Sequence, residues 1–452
     1  MVDESLIAYL NNALPDLEEE FIRQIFEQEN LPESLADDHD LCEKIANTLR
    51  SVKILDPACG SGAFPMGILN RMVEVLEKLD AKNKASHHDL KLHLIEECIY
   101  GVDIQTIAAQ ISKLRFFISL IVEQDAMDLS KPEENYGVLT LPNLETKFVA
   151  ANTLVGLQGE NNGLLDLTDS NLKNLQAKLL GTRQNHFYAK SASEKTKLRK
   201  QDEELRKEIV QYLSGNSTNP NEEKIENNLE LIEKLQIQRK AYEAENWVED
   251  FQKEVQTSMF EEQSPKQESI FKTDLNEKPR AEIDKRIKAL QIEISNEKNK
   301  AKKVGFEDAI EKIAQWNPYD QNASSPFFDP EWMFGLEEGF DIVVGNPPYI
   351  STKGVSAEFK KLLENQYGFA DDTYNHFFFK GNNLLKKGGI LSYITPKTFW
   401  TTQTKRNLRD LVLSQTVKYI FDTANPFEAA MVDTCITSFS KSSPKENIIK
   451  FL

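Results

Sequence analysis

Val52-Lys53-Ile54-Leu55-Asp56-Pro57-Ala58-Cys59-Gly60-Ser61-Gly62-Ala63-Phe64 runs from a short apolar segment through a glycine-rich turn into the amphipathic stretch Phe64 to Leu79. That order spells a strand, a tight loop and a helix. Glycines at such a turn let the backbone close on a ligand and leave helix N-terminal N–H groups facing it. The loop is neither a Walker sequence nor the six-residue dinucleotide fingerprint, so its ligand need not be a phosphate. Working outward, the pattern recurs: Cys98 to Val102 reads as a strand before a helix from Ile107 to Val122, and Lys147-Phe148-Val149-Ala150 as a third strand. Strands alternating with helices predict an α/β fold with a mostly parallel sheet flanked by helices.

Between about Leu164 and Asp320 the text turns to long charged segments with apolar residues at helical spacing: Leu198, Leu205, Ile209 and Tyr212, then Ile225, Leu229 and Ile232, then Ile283, Ile287, Leu290 and Ile294. This predicts a long helical insertion of two or three helices, either plain packing or an arm for a partner. Sheet-like runs resume at Phe340 to Val344, Ile390 to Ile394, Val417 to Ile420 and Cys435 to Phe439. The chain is therefore divided into 1–160, a helical insertion over 161–320, and 321–452.

With 452 residues the chain exceeds the usual single-domain size. It has no apolar run long enough to span a bilayer and no signal-peptide pattern, which predicts a cytoplasmic protein without membrane attachment. A net charge of −18 runs against an affinity built on neutralising phosphates. The first sixty residues hold fourteen carboxylates and four basic side chains, however, so they carry ten of the eighteen excess negative charges. The four cysteines Cys42, Cys59, Cys98 and Cys435 lack zinc-site spacing, predicting reduced thiols and no metal.

Asp103 closes the second strand and is followed by Ile104. A carboxylate there is placed to accept both hydrogen bonds of a ribose diol, although an ordinary loop aspartate fits the same text. Asn346-Pro347-Pro348-Tyr349 follows Gly345 and the apolar run Ile342 to Val344. An exocyclic amine on a base is a poor nucleophile because its lone pair is delocalised into the ring, so acceptors for its hydrogens are required. The Asn346 side-chain oxygen and the Pro347 carbonyl can receive them, while two prolines fix the loop and donate no competing N–H. Tyr349 supplies a π-face for a base taken out of its stack. A rigid turn beside a tyrosine is the plainer alternative.

In this order, Asp56-Pro57-Ala58-Cys59-Gly60, Asp103 and Asn346-Pro347-Pro348-Tyr349 resemble the gamma-class N6-adenine DNA methyltransferases, most closely the catalytic region of single-chain type II restriction-modification enzymes. Ile99 to Leu120 (IYGVDIQTIAAQISKLRFFISL) is typical of that subgroup, and the resemblance spans about Leu6 to Phe451 apart from the insertion. It implies a Rossmann-like methyltransferase fold, S-adenosyl-L-methionine as cofactor and double-stranded DNA as partner. On this resemblance 1–160 holds N-terminal helices and the cofactor-binding half, and 321–452 the catalytic half. It further implies that Asp56, Ala58 and Gly60 line the methionine end of the cofactor, with Asp103 on its ribose and Ile104 against its adenine. Asn152 stands where the family often has an aspartate touching the cofactor's adenine amino group. Phe377, in Asp372-Thr373-Tyr374-Asn375-His376-Phe377, is implied as an apolar wall of the pocket. Asn346, Pro347, Pro348 and Tyr349 are the implied catalytic residues. Phe427 is the candidate second aromatic opposite Tyr349, and a core phenylalanine fits it equally.

Two departures bear on function. No Phe-Thr-Pro-like segment lies between Met1 and Val52, and the chain stops just after the last strand, where a target-recognition domain would begin. Both lead us to expect a catalytic fragment of a larger protein, with recognition parts, and a nuclease part if one exists, on the same polypeptide. No Pro-Asp followed by Glu-x-Lys nuclease pattern supports cleavage. Since cytosine N4 and a protein glutamine amide are also planar amines, methylation of either stays open, as does a non-catalytic scaffold on a decayed fold.

Overall fold

The computed structural model describes residues 1–80, 86–124, 130, 136–157, 170–215, 224, 227–240, 282–294, 310–424 and 432–444. Helices α1 (Val2–Ala13), α2 (Glu19–Glu27) and α3 (His39–Ser51) precede β1 (Ile54–Asp56). Then come α4 (Ala63–Leu79), α5 (His87–Glu97), β2 (Ile99–Asp103), α6 (Thr106–Val122), β3 (Phe148–Ala150), α7 (Ser170–Tyr188) and α8 (Ala192–Gly215). The later part holds β4 (Phe340–Gly345), α9 (Ala357–Tyr367), α10 (Thr373–Leu384), β5 (Leu385–Pro396), α11 (Arg406–Ser414), β6 (Thr416–Ala424) and β7 (Thr434–Ser440).

All seven expected strands form one sheet in the order β3-β2-β1-β4-β5-β7-β6. The first five are parallel, and β7 runs antiparallel between β5 and β6. This is the mostly parallel α/β, Rossmann-like class. From β1 the chain winds outward through β2 and β3, then returns to lay β4 on the other side of β1. The crevice beyond the carboxyl ends of β1 and β4 is thus a topological switch point, the favoured ligand position in an open α/β sheet.

Strands covered on both faces read as continuous apolar runs, as Ile342-Val343-Val344 within β4 does. Ile54, Ile99, Ile342, Val344 and Ile390 bury with Leu6, Leu10, Ile22, Phe26, Leu49, Leu69 and Leu76 of the N-terminal helices. The opposite face is closed by aromatic contacts: Tyr100 against Phe334 and Phe340, and Phe378 of α10 against Tyr393.

Two compact units are present, one of residues 1–210 and 312–452, the other of 211–311. The helical insertion expected over 161–320 is therefore split: α7 and most of α8 belong to the sheet's unit. The reason is a buried charge cluster. Asp202, fully buried, accepts Arg183 Nε at 2.8 Å and Arg206 Nε at 2.7 Å. Arg206 Nη1 also donates to the Trp316 carbonyl, and Arg183 Nη1 to that of Trp332. Within the second unit, Ile232, Ile283, Ile287, Leu290 and Ile294 bury against one another. No helix among the described residues is long and apolar enough to cross a membrane.

Candidate active site

The glycine loop is bound on three sides. Gly60 and Gly62 take left-handed φ values of +54° and +78°, and Gly62 caps α4. A Cβ on Gly62 would stand 2.9 Å from Ser112 Oγ, so α6 approaches as closely as it does only because the residue is glycine. Ser112 Oγ donates to the Gly60 carbonyl at 2.9 Å, and the Cys59 N–H to the Val102 carbonyl at 2.9 Å. From the end of β3, Thr153 Oγ1 donates to the Pro57 carbonyl at 2.7 Å. Ser112 and Thr153 carry no motif signal. Only the folded contacts reveal them.

Asp103 is half-buried at the end of β2. Its Oδ2 accepts the Gly60 N–H at 2.9 Å and its Oδ1 the Gln105 N–H at 2.8 Å. A carboxylate has about four acceptor positions, so a diol could still be received. Ile104 beside it is 58% exposed, a bare apolar surface next to the loop. Asn152 follows β3, the neighbour of β2; its N–H donates to the Ser325 carbonyl and its Oδ1 accepts the Leu154 N–H.

Asp56 is buried under the loop, with Oδ1 accepting the Ala58 N–H at 3.1 Å and Oδ2 without a hydrogen-bond partner among the described residues. Burial pushes its carboxyl up to about 8, against the lowering effect of the Ala58 bond, and the Asp103 charge adds to the rise. A Cβ on Gly345 would lie 2.6 Å from Asp56 Oδ1. The two motifs therefore meet, Asp56 at the end of β1 against the last residue of β4.

Directly after Gly345, Asn346 Oδ1 lies 2.6 Å from Tyr349 Oη, and the Ile394 carbonyl lies 3.0 Å from the same hydroxyl. One hydroxyl hydrogen thus has two acceptors. Burial raises the Tyr349 hydroxyl further, so it stays a donor at neutral pH. The Pro348 carbonyl accepts Thr373 Oγ1. The Pro347 carbonyl has no hydrogen-bond partner among the described residues. Phe377 lies buried on α10. Phe427 falls outside the described residues.

Asp56, Ala58, Gly60, Asp103, Asn152 and Asn346 to Tyr349 thus stand at the carboxyl ends of β1 to β4. A cavity of about 490 Å³ lined by Lys53, Glu97, Tyr100 and Lys147 opens at the amino ends of β1 to β3 instead, on the opposite edge. No group of three or more metal-binding side chains occurs among the described residues.

A Methanocaldococcus jannaschii protein assigned as a type II restriction enzyme and methyltransferase (RM.MjaORFECS2P) is 26% identical over 426 residues, covering 92% of this chain. The chain spans about a third, 32%, of that relative's length. Among solved structures, the type IIL restriction-modification enzyme MmeI in complex with DNA matches with a TM-score of 0.37 at 10% identity, over 93% of this chain and 35% of that one. The type I restriction-modification methyltransferase subunit from Streptococcus thermophilus matches with a TM-score of 0.23 at 16% identity, over 33% of this chain and 34% of that one. The model of the MmeI DNA-methyltransferase domain matches residues 32–155, where the glycine loop and Asp103 lie. The model of the Eco57I restriction-modification methylase matches residues 97–428, most of the chain including the Asn346–Tyr349 loop, and the chain belongs to that family.

Proposed function

We propose that this chain catalyses methylation of the N6 amine of adenine in double-stranded DNA, as the modification activity of a cytoplasmic restriction-modification system. The observation that supports the reading is the Asp56–Gly345 contact, which sets the glycine loop and the Asn346–Tyr349 loop side by side at the carboxyl ends of β1 and β4.

S-adenosylmethionine is the cofactor, and the residues present fit it. Asp56 Oδ2 is a buried carboxyl oxygen without a hydrogen-bond partner among the described residues, which a cationic ligand would draw into its ionised, accepting form; Asp103 retains acceptor capacity for a diol, and Ile104 offers an apolar surface for a flat ring. When bound, it supplies a methyl group activated on a sulfonium. The chain's own residues act on the amine. Asn346 Oδ1 and the Pro347 carbonyl accept its two hydrogens, which draws nitrogen toward tetrahedral geometry and returns its lone pair to the nucleophilic direction. Turning the Tyr349 hydroxyl hydrogen to the Ile394 carbonyl releases Asn346 Oδ1 for this purpose. The Tyr349 ring supports the extruded base by stacking. Orientation and fixed acceptors, rather than a general base, carry the rate.

Incubation of the protein with tritium-labelled cofactor and unmethylated double-stranded DNA, followed by digestion to nucleosides, tests the assignment. Label in N6-methyldeoxyadenosine is expected. Label confined to N4-methyldeoxycytidine, or to protein glutamine, would replace it.

A further inference from the structure

One side chain grips the catalytic loop from outside it. Thr373 opens α10 and is 4% exposed. Its Oγ1 donates to the Pro348 carbonyl and accepts the Ile350 N–H at 3.0 Å, while its own N–H donates to the Ile350 carbonyl at 2.9 Å. Next to it, Asp372 Oδ1 accepts the Thr352 N–H at 3.3 Å. Behind both, the buried Lys405 pairs with Asp371 and, at 2.8 Å, with Asp372. Its Nζ also lies 5.2 Å from the centre of the Tyr374 ring, which meets Tyr349 edge-on at 6.2 Å.

The backbone chemistry of the loop explains why this grip falls where it does. Both prolines have φ locked by their rings. Asn346 and Pro347 each precede a proline, which restricts their ψ to the extended region. The first torsion left soft is ψ of Pro348, and rotation there would swing its carbonyl and carry Tyr349 with it. Thr373 holds the peptide groups on either side of Tyr349, at the Pro348 carbonyl and the Ile350 N–H, and its bond to the first fixes the direction of the Pro348 carbonyl and so ψ of Pro348. It also decides which carbonyl is free: that of Pro348 is consumed, and that of Pro347 is left unpartnered among the described residues.

We infer that Thr373 is a positioning residue that fixes ψ of Pro348 and the peptide groups flanking Tyr349 and so leaves the Pro347 carbonyl as the acceptor presented to the substrate amine, with Lys405 holding the Asp371–Thr373 segment in place. The inference rests on the methyltransferase reading above. Thr373 itself touches no reacting atom.

Thr373→Val keeps the shape and removes the hydroxyl, and Thr373→Ser restores it. In the full chain, kcat for transfer of labelled methyl into unmethylated DNA falls about 10- to 100-fold in the Val variant, as expected for a small misplacement of a catalytic group. KM for S-adenosylmethionine stays within about threefold, since the glycine loop is untouched. Amide hydrogen exchange over residues 350–352 rises about tenfold or more while β4 keeps its protection. The Ser variant returns both readings toward wild type. If Thr373→Val does not fold, Lys405→Met carries the same comparison, with changes in the same direction. Unchanged exchange over residues 350–352, or a loss in the Val variant that Ser does not rescue, overturns the inference. A wild-type chain that transfers no methyl to DNA defeats the functional reading instead, and the exchange measurement still decides the role of Thr373.

Discussion

The carboxylate of Asp56 rests against the α-carbon of Gly345, so close that a single added carbon on Gly345 would stand 2.6 Å from Asp56 Oδ1. Two motifs nearly three hundred residues apart in sequence are joined by that contact, because β1 and β4 are neighbours in the sheet. Gly345→Ala must push the strands apart or displace Asp56. We expect a loss of about 1–3 kcal/mol, typical of overpacking, together with weaker cofactor binding. Chemical denaturation and calorimetry with S-adenosylmethionine measure both.

A pH effect follows from Asp56 itself. Burial pushes its carboxyl up to about 8 from an ordinary value of 3.8. Between these values the folded, ligand-free chain keeps a proton that the unfolded chain has released, so this group's contribution to stability declines as pH rises through the window. Asp56→Asn has no proton to hold. The melting temperature of Asp56→Asn relative to wild type should climb from pH 5 to pH 8, and parallel curves would show that Asp56 is ionised throughout.

The buried cluster of Arg183, Asp202 and Arg206 gives a stability prediction away from the crevice. Asp202→Ala leaves two guanidinium groups, with side chains 4% and 8% exposed, without their anion. Breaking a buried pair from one side costs about 3–5 kcal/mol. Urea unfolding should show that loss, whereas a change below about 1 kcal/mol would mark the cluster as an ordinary surface network.

Tyr349 separates stacking from hydrogen bonding. Tyr349→Phe keeps the ring and frees Asn346 Oδ1, so methyl transfer should stay within about tenfold of wild type. Tyr349→Ala removes the stacking face, worth about 1–3 kcal/mol per base, and should lose roughly 5- to 150-fold. Equal losses in both variants would make the hydroxyl, not the ring, the important part.

Much of this was legible before folding. The strands at the centre of the sheet contain short apolar runs beside glycine, proline or polar residues, and the run Ile390 to Ile394 needed only extension to Leu385–Pro396. In the candidate site, the legible part is where backbone chemistry forces the residue type: left-handed glycines at 60 and 62, and prolines at 347 and 348. What escaped was non-local. Thr153 on Pro57, Ser112 on Gly60 and Thr373 on Pro348 join segments that carry no mutual spacing signal. The boundary of the insertion escaped for a different reason. Arg183, Asp202 and Arg206 lie in what reads in sequence as long charged segments, yet inside the sheet's unit the two guanidinium groups share the single Asp202 carboxylate.

The most direct test of the shared crevice is Asn346→Ala, assayed for both cofactor affinity and methyl transfer to adenine. With one acceptor lost and the glycine loop intact, S-adenosylmethionine should bind within about threefold of wild type while kcat falls about 100- to 1,000-fold, as for removal of one preorganised transition-state contact. Methyl transfer at the wild-type rate would contradict the account, because the Asn346 loop would then have no part in the chemistry at the crevice.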